Sequence, residues 1–209
     1  DHMPIIESQI DRNSDEYLKN RKHMLAAIQE FRDAEASVQA ASEKSRERFR
    51  KRKQLMPRER IALLLDRGAP FLELMPLAGY RMHDDKDGSS AGGGSVSGIG
   101  YVEGVRCVVT ASNSAIKGGT VAPSGQRKGQ RVQQIVMENK LPVVNLVESG
   151  GANLLYQAEI FVPGGRGFAN QARMSALGIW QGVDSNSVQP TLQRSRRPMQ
   201  AGPPSTRAS

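Results

Sequence analysis

The chain has 209 residues, of which 38% are apolar, 29 basic and 21 acidic, for a net charge of +8. That length holds one domain with a true core, and the apolar share lies below the usual globular range, so part of the chain is expected outside a packed core. Cys107 stands alone, which excludes an internal disulfide and a cysteine-based zinc site, and no apolar run reaches the length of a membrane span. Met3-Pro4-Ile5-Ile6 leads into Glu7 and Asp11 instead of an apolar core, so no signal peptide is read. A cytoplasmic setting, or an organelle matrix after import, is expected.

From about Ser14 to Lys53 the chain lacks Gly and Pro, and Tyr17, Met24, Ile28, Phe31, Ala34, Val38 and Ala41 recur at helical spacing. This predicts one long helix, started by Ser14 or Asn13. Its narrow apolar stripe needs a surface to lie on, because a helix this polar is not stable alone. From Lys44 to Arg60 nine basic residues stand against two acidic ones. Such a stretch is a solvated helix end or a polyanion site. Neither aromatic interleaving nor a nucleic-acid module accompanies it, so nucleic acid is not expected as a partner.

Arg58 to Asp66 predicts a short helix with Pro57 in its first turn and Ile61, Leu63 and Leu64 as its core face. Arg67-Gly68-Ala69-Pro70 stops it, and Phe71 to Leu74 reads as a short strand. His83 to Gly94 reads as a polar surface loop. The run His83-Asp84-Asp85 fixes no coordination geometry, so no metal is assigned. Val96 to Glu103 and Arg106 to Ser112 predict a hairpin around Glu103-Gly104-Val105, with Cys107 buried and inert in its second strand. After Lys117-Gly118-Gly119-Thr120, Arg127 to Lys140 predicts a helix with Val132, Ile135 and Val136 inward. Leu141 to Val147 reads as a buried strand, and Gly167 to Leu177 as a last helix. Strand, strand, helix, strand, helix is the order of a repeated ββα unit in an α/β protein.

The strand to Val147 runs into Glu148-Ser149-Gly150-Gly151-Ala152. A strand ending in a glycine pair leaves backbone N–H groups open to a close ligand. Such turns bind substrates and stabilise developing oxyanions in α/β proteins, although a glycine pair also serves as an ordinary turn.

Five blocks keep order and approximate spacing: Pro57-Arg58-Glu59-Arg60-Ile61, Pro70 to Leu74, Lys117 to Thr120, Glu148 to Leu154, and Phe168 to Ile179. Together they resemble the N-terminal part of the carboxyltransferase (β) subunit of biotin-dependent acyl-CoA carboxylases, of the methylcrotonoyl-CoA or geranyl-CoA type. The resemblance covers roughly Met3 to Ile179. It implies an α/β fold, the crotonase-like (ClpP-type) ββα superhelix, here incomplete and preceded by a long N-terminal helix. It divides the chain into a helical extension (1–56), a partial acyl-CoA carboxyltransferase N-domain (57–179) and a disordered or frame-shifted tail (180–209). The implied reaction moves a carboxyl group from carboxybiotin to an acyl-CoA, with no side-chain nucleophile and no metal. Biotin is the implied cofactor, carried by a partner, and a coenzyme A thioester the substrate. A biotin carboxylase or biotin carrier subunit and further copies of the chain are the implied partners, without nucleic acid or membrane. The implied oxyanion or thioester donors are the N–H groups of Gly150, Gly151 and Ala152, an incomplete set. The implied cofactor-binding residues are Lys117, Gly118, Gly119, Ser149, Gly150, Gly151, Tyr156 and Gln157. Lys117 would meet a phosphate, Phe161 would help shape the acyl pocket, and the basic stretch would steer coenzyme A inward.

After Ile179 the resemblance stops. The family continues with a strand, a second glycine turn of the type Ala-Gly-Gly-Ala, and a second crotonase-like domain. Here an Arg-, Pro- and Ser-rich tail follows to Ser209. Two readings stay open: a native disordered tail, or a shifted reading frame. Met199 to Ser209 can be encoded by codons whose offset frame reads Ala-Gly-Gly-Ala and then Pro-Gly-Leu. On either reading the chain is truncated, short of a core strand and inactive by itself. Two alternatives remain: a fragment of a crotonase-type acyl-CoA hydratase or isomerase, in which Glu148 would need a second Glu, and a non-catalytic polyanion-binding protein using the basic helix.

Overall fold

The computed structural model describes residues 8–82, 85–148 and 150–184. Helix α1 (Asp15–Glu43) starts at Ser14, whose hydroxyl accepts from the Tyr17 N–H at 3.2 Å. Asp15 and Glu16 occupy its first turn, where the helix dipole favours acids. The single helix expected as far as Lys53 breaks at Lys44 and Ser45, and α2 (Arg46–Lys51) follows. The apolar stripe finds only part of its surface. Val38 is buried, as is Phe49 on α2, while Met24 and Phe31 remain more than half exposed.

Helix α3 (Pro57–Leu64) begins with its proline, and the Glu59 carboxylate accepts the Met56 N–H at 2.9 Å. Its inward face runs through Pro57, Arg60, Ile61 and Leu64. That spacing of three and four turns Leu63 outward, 61% exposed, so the expected core role of Leu63 is corrected.

One five-stranded sheet organises the rest, in the spatial order β1-β2-β3-β4-β5. Strands β1 (Leu72–Leu74), β2 (Ser95–Val102) and β3 (Val105–Ser112) are antiparallel. Glu103 and Gly104, at φ 50° and 76°, make the two-residue turn between β2 and β3. The Asp66 carboxylate accepts both of their N–H groups at 2.8 Å. Helix α4 (Pro123–Asn139) then carries the chain across to β4 (Val143–Leu146), parallel to β3. It starts four residues before the expected Arg127, with Pro123 in its first turn.

Helix α5 (Gln157–Ala176) starts ten residues before the expected Gly167, through Pro163 and three glycines. Packing on α4 overrides those poor helix formers. Gln130 donates to the Pro163 carbonyl at 2.7 Å and Gln133 to the Gly167 carbonyl at 3.3 Å.

The core lies on both faces of the sheet. Val108 packs with Val132, Val136, Leu141, Val143 and Met174 on the α4 and α5 side. Val109 packs with Ile61, Val96, Cys107, Ala111 and Leu146 on the α3 side. Both valines are fully buried, as a strand covered on two faces requires.

The sheet continues past the boundary expected at Ile179. Gly178, at φ 70°, ends α5. Then β5 (Gln181–Asp184) runs parallel to β4 from Val143 opposite Gln181 to Leu146 opposite Asp184. The Val143 N–H bonds the Trp180 carbonyl and the Val147 N–H the Asp184 carbonyl, each at 2.9 Å. A tail beginning at residue 180 and a missing core strand are both corrected. The strand rests on backbone hydrogen bonds and carries almost no apolar signal in Gln-Gly-Val-Asp. Residues 185–209, with the offset-frame segment, lie outside the described residues, as do His83 and Asp84. Among the described residues, no helix is long and apolar enough to cross a membrane.

Candidate functional site

The two glycine-containing loops singled out in the sequence leave the C-terminal ends of the parallel neighbours β3 and β4, and the fold brings them into contact. Lys117, Gly118 and Gly119 form a tight turn, all at positive φ (46°, 67° and 80°). The Gly150 N–H donates to the Gly119 carbonyl at 3.1 Å and the Val121 N–H to the Gly151 carbonyl at 2.9 Å. The Asn153 N–H donates to the Val121 carbonyl at 3.0 Å, closing a parallel bridge between Val121 and Ala152.

The four glycines divide into two pairs. A Cβ on Gly150 would strike the Gly118 carbonyl oxygen, and one on Gly119 would stand 2.9 Å from the Glu148 carbonyl. These two allow the loops to interlock. Around Gly118 and Gly151 the Cβ position meets only open space. The expected donor role of Gly150 is therefore corrected, since its N–H is spent on Gly119. The Ala152 N–H lies on the far side of the bridge, with no acceptor among the described residues.

Lys117 and Tyr156 meet in a narrow recess with Gly93, Gly94, Thr120 and Ser124. Lys117 also borders a cavity of about 250 Å³ against the end of α1, lined by Val38, Ser42, Arg58, Ala91 and Ile116. Gln157 is exposed on the first turn of α5 and does not line the recess. Phe161 is 59% exposed on the outer side of α5. Ser149 lies outside the described residues.

Most of the arginines read as a cationic rim have partners within the fold. Arg46 pairs with Glu43 at 2.6 Å and with Glu59. Arg58 holds Glu73 through two hydrogen bonds of 3.1 and 2.7 Å. Arg48 donates to the Ala115 carbonyl at 3.0 Å, two residues before Lys117.

Three charged side chains withdrawn from solvent stand beside the loops: Lys128 and Arg60, which the sequence does not single out as site residues, and Glu148, weighed from sequence only as an acid or base. Lys128 donates from Nζ to the carbonyls of Gly92 and Ser95 at 3.0 and 2.8 Å, fixing the glycine run that walls the recess. Burial brings its pKa down to about 8, opposed by Glu73. Its spacing of four from Val132 and Val136 puts it on the inward face of α4, the one available signal. Arg60 and Glu148 face each other with their side chains 6% and 11% exposed, Nη1 to Oε1 at 3.6 Å. Neither of those atoms has a hydrogen-bond partner. Glu148 Oε2 accepts from the Ser114 hydroxyl at 2.8 Å. Burial lowers the Arg60 pKa, and Glu148 and Asp184 work against the shift.

Chemically, the arrangement is a pair of backbone turns at the C-terminal ends of two interior strands, with donors and cations. Glu148 faces Arg60 and Ser114, and the Asp184 carboxylate acts on the same Arg60 charge.

Residues 48–183 match the carboxyl transferase domain family. The probable mitochondrial methylcrotonoyl-CoA carboxylase beta chain of Drosophila melanogaster is 42% identical over 181 residues, covering 85% of this chain and 31% of that one. The probable biotin-dependent acyl-coenzyme A carboxylase beta2 subunit of Mycobacterium tuberculosis is 43% identical over 176 residues, covering 84% and 32%. Among solved structures, the beta subunit of P. aeruginosa geranyl-CoA carboxylase is 60% identical at a TM-score of 0.76, covering 86% of this chain and 34% of that one. Transcarboxylase 12S, 19% identical at a TM-score of 0.63, shares the fold. The expected crotonase-like fold is thus borne out, and the chain spans about a third of the length of the relatives it matches. Matched over residues 48–183, more than half of its length, the chain belongs to the carboxyl transferase domain family.

Proposed function

We propose that this chain forms the acyl-CoA-binding half of a carboxyltransferase site, acting on a methylcrotonoyl- or geranyl-CoA-like thioester. The observation that carries the reading is the interlock of the two glycine turns, which sets open space at Gly118 and Gly151 beside the outward Ala152 N–H. Removing a proton next to a thioester carbonyl drives negative charge onto its oxygen, and fixed backbone donors stabilise that charge without reorganising. Ala152 would supply such a donor, in the turn that Gly151 shapes. Lys117 would place its ammonium near a coenzyme A phosphate, and Tyr156 would border the acyl group. Biotin, carried by a biotin carboxylase or carrier subunit, would deliver the carboxyl group; no described residue is assigned to it. Further copies of the chain complete the proposed assembly.

Isothermal titration of the 209-residue chain with 3-methylcrotonoyl-CoA, coenzyme A and heparin tests the reading. Binding of the thioester, competed by coenzyme A and persisting at high salt, is expected. Heparin binding that fades steeply with salt, with no thioester binding at millimolar concentration, overturns it in favour of a polyanion-binding protein.

A further inference from the structure

We infer that Glu148, backed by Arg60 and tied across to Ser114, is a positioning residue that sets how the two glycine loops sit against each other and so aims the N–H donor of Ala152. The inference rests on the acyl-CoA reading above and assigns these three side chains a part in it.

Glu148 stands where the loops diverge. Its main chain leads into the Gly150–Gly151 turn, and its carbonyl lies against Gly119 of the other loop. Its carboxylate accepts from Ser114, three residues before Lys117 on that same loop. Gly150, two residues on, makes the backbone bond to Gly119. One residue therefore touches the first loop at two points and belongs to the second. Arg60 approaches from α3, a rigid base whose neighbours Pro57 and Ile61 are buried.

Stability alone does not account for the arrangement. Two charges withdrawn from water, with facing atoms 3.6 Å apart and unbonded, are a poor way to gain it. Well-packed apolar side chains of similar size do as well or better. What they lack is an oxygen to orient Ser114 and a charge to hold that oxygen in one rotamer. Glu148 does not itself react: at 11% side-chain exposure it faces Arg60 and Ser114.

The test compares the 209-residue wild type with the double variant Arg60→Met, Glu148→Leu and with Ser114→Ala. The melting temperature is read for each, together with affinity for 3-methylcrotonoyl-CoA relative to coenzyme A. Coenzyme A lacks the thioester carbonyl, so the ratio reports the aim of the donor and cancels general loosening of the pocket. The double variant is expected to melt within a few degrees of wild type while its thioester preference falls about tenfold, the size of one lost hydrogen bond. Ser114→Ala is expected to lower the ratio about threefold at unchanged melting temperature, and it decides the matter if the double variant fails to fold. An unchanged ratio in folded variants overturns the inference and leaves the acyl-CoA reading intact. Absence of binding by the wild type itself overturns that reading, and this inference with it.

Discussion

Gly150→Ala tests the interlock most directly. The new methyl group would stand against the Gly118 carbonyl oxygen, with the Gly118 and Gly119 carbonyl carbons at 3.3 and 3.4 Å. All three are backbone atoms of a turn fixed by its own hydrogen bonds, so no side chain can swing aside. Overpacking against unyielding backbone costs about 1–3 kcal/mol. Parting the loops also weakens the 3.1 Å bond from the Gly150 N–H to the Gly119 carbonyl, a further loss of about 1 kcal/mol. Together they predict a loss of about 2–4 kcal/mol, or a melting temperature lower by roughly 4–16 °C for a domain of this size. Gly151→Ala is the control: its Cβ meets open space, and only the φ of 85° opposes it, at about 1–2 kcal/mol. Thermal unfolding followed by circular dichroism, with thioester titration on the same samples, reads both. A Gly150→Ala chain that melts and binds like wild type would refute the contact reasoning and the claim that Gly150 is there for close approach.

Lys128 makes stability depend on alkaline pH. Its pKa is about 8 in the fold against an ordinary 10.5. Below pH 8 both states hold the proton and the native state bears a buried ammonium. Between the two values the unfolded state binds more protons, so stability rises with pH. Urea unfolding at pH 7.5 and 9.5 should show a gain of about 2 kcal/mol that Lys128→Gln lacks. Asp66→Ala removes the acceptor of the Glu103 and Gly104 N–H groups and should cost about 1–3 kcal/mol in chemical denaturation. Cys107 is 3% exposed, and burial, then Asp66, pushes its thiol pKa up. A thiol reagent such as DTNB should leave the native chain unlabelled and react fully once urea unfolds it.

The sequence displayed those elements whose stability is local or strongly apolar. The β2–β3 hairpin announces itself through alternation and Glu103-Gly104, and β4 through its β-branched run. Elements sustained by tertiary contact were hidden. Strand β5 is written as Gln-Gly-Val-Asp, and its order comes from backbone bonds to β4. The early turns of α5 contain residues that argue against a helix until Gln130 and Gln133 reach them. The family resemblance names both glycine turns as binding residues, but which glycine meets open space and which meets the neighbouring turn emerges only from the interlock. Arg60, Ser114 and Glu148 are far apart in sequence, so their meeting left no local pattern.

The parallel half of the sheet also sets an order of events. The β2–β3 hairpin closes over two residues, whereas β4 can reach β3 only after the chain from Asn113 to Pro142, with α4 inside it, has closed into a loop. The Lys117–Gly119 turn lies within that loop and Gly150 just past it, so the glycine turns have no shared geometry until β4 docks. Slow exchange of the Val121, Gly150 and Asn153 amides thus reports docking of β4 and not closure of the hairpin. A ligand that recognises only the assembled turns holds β4 in place by mass action, a staple supplied from outside the chain.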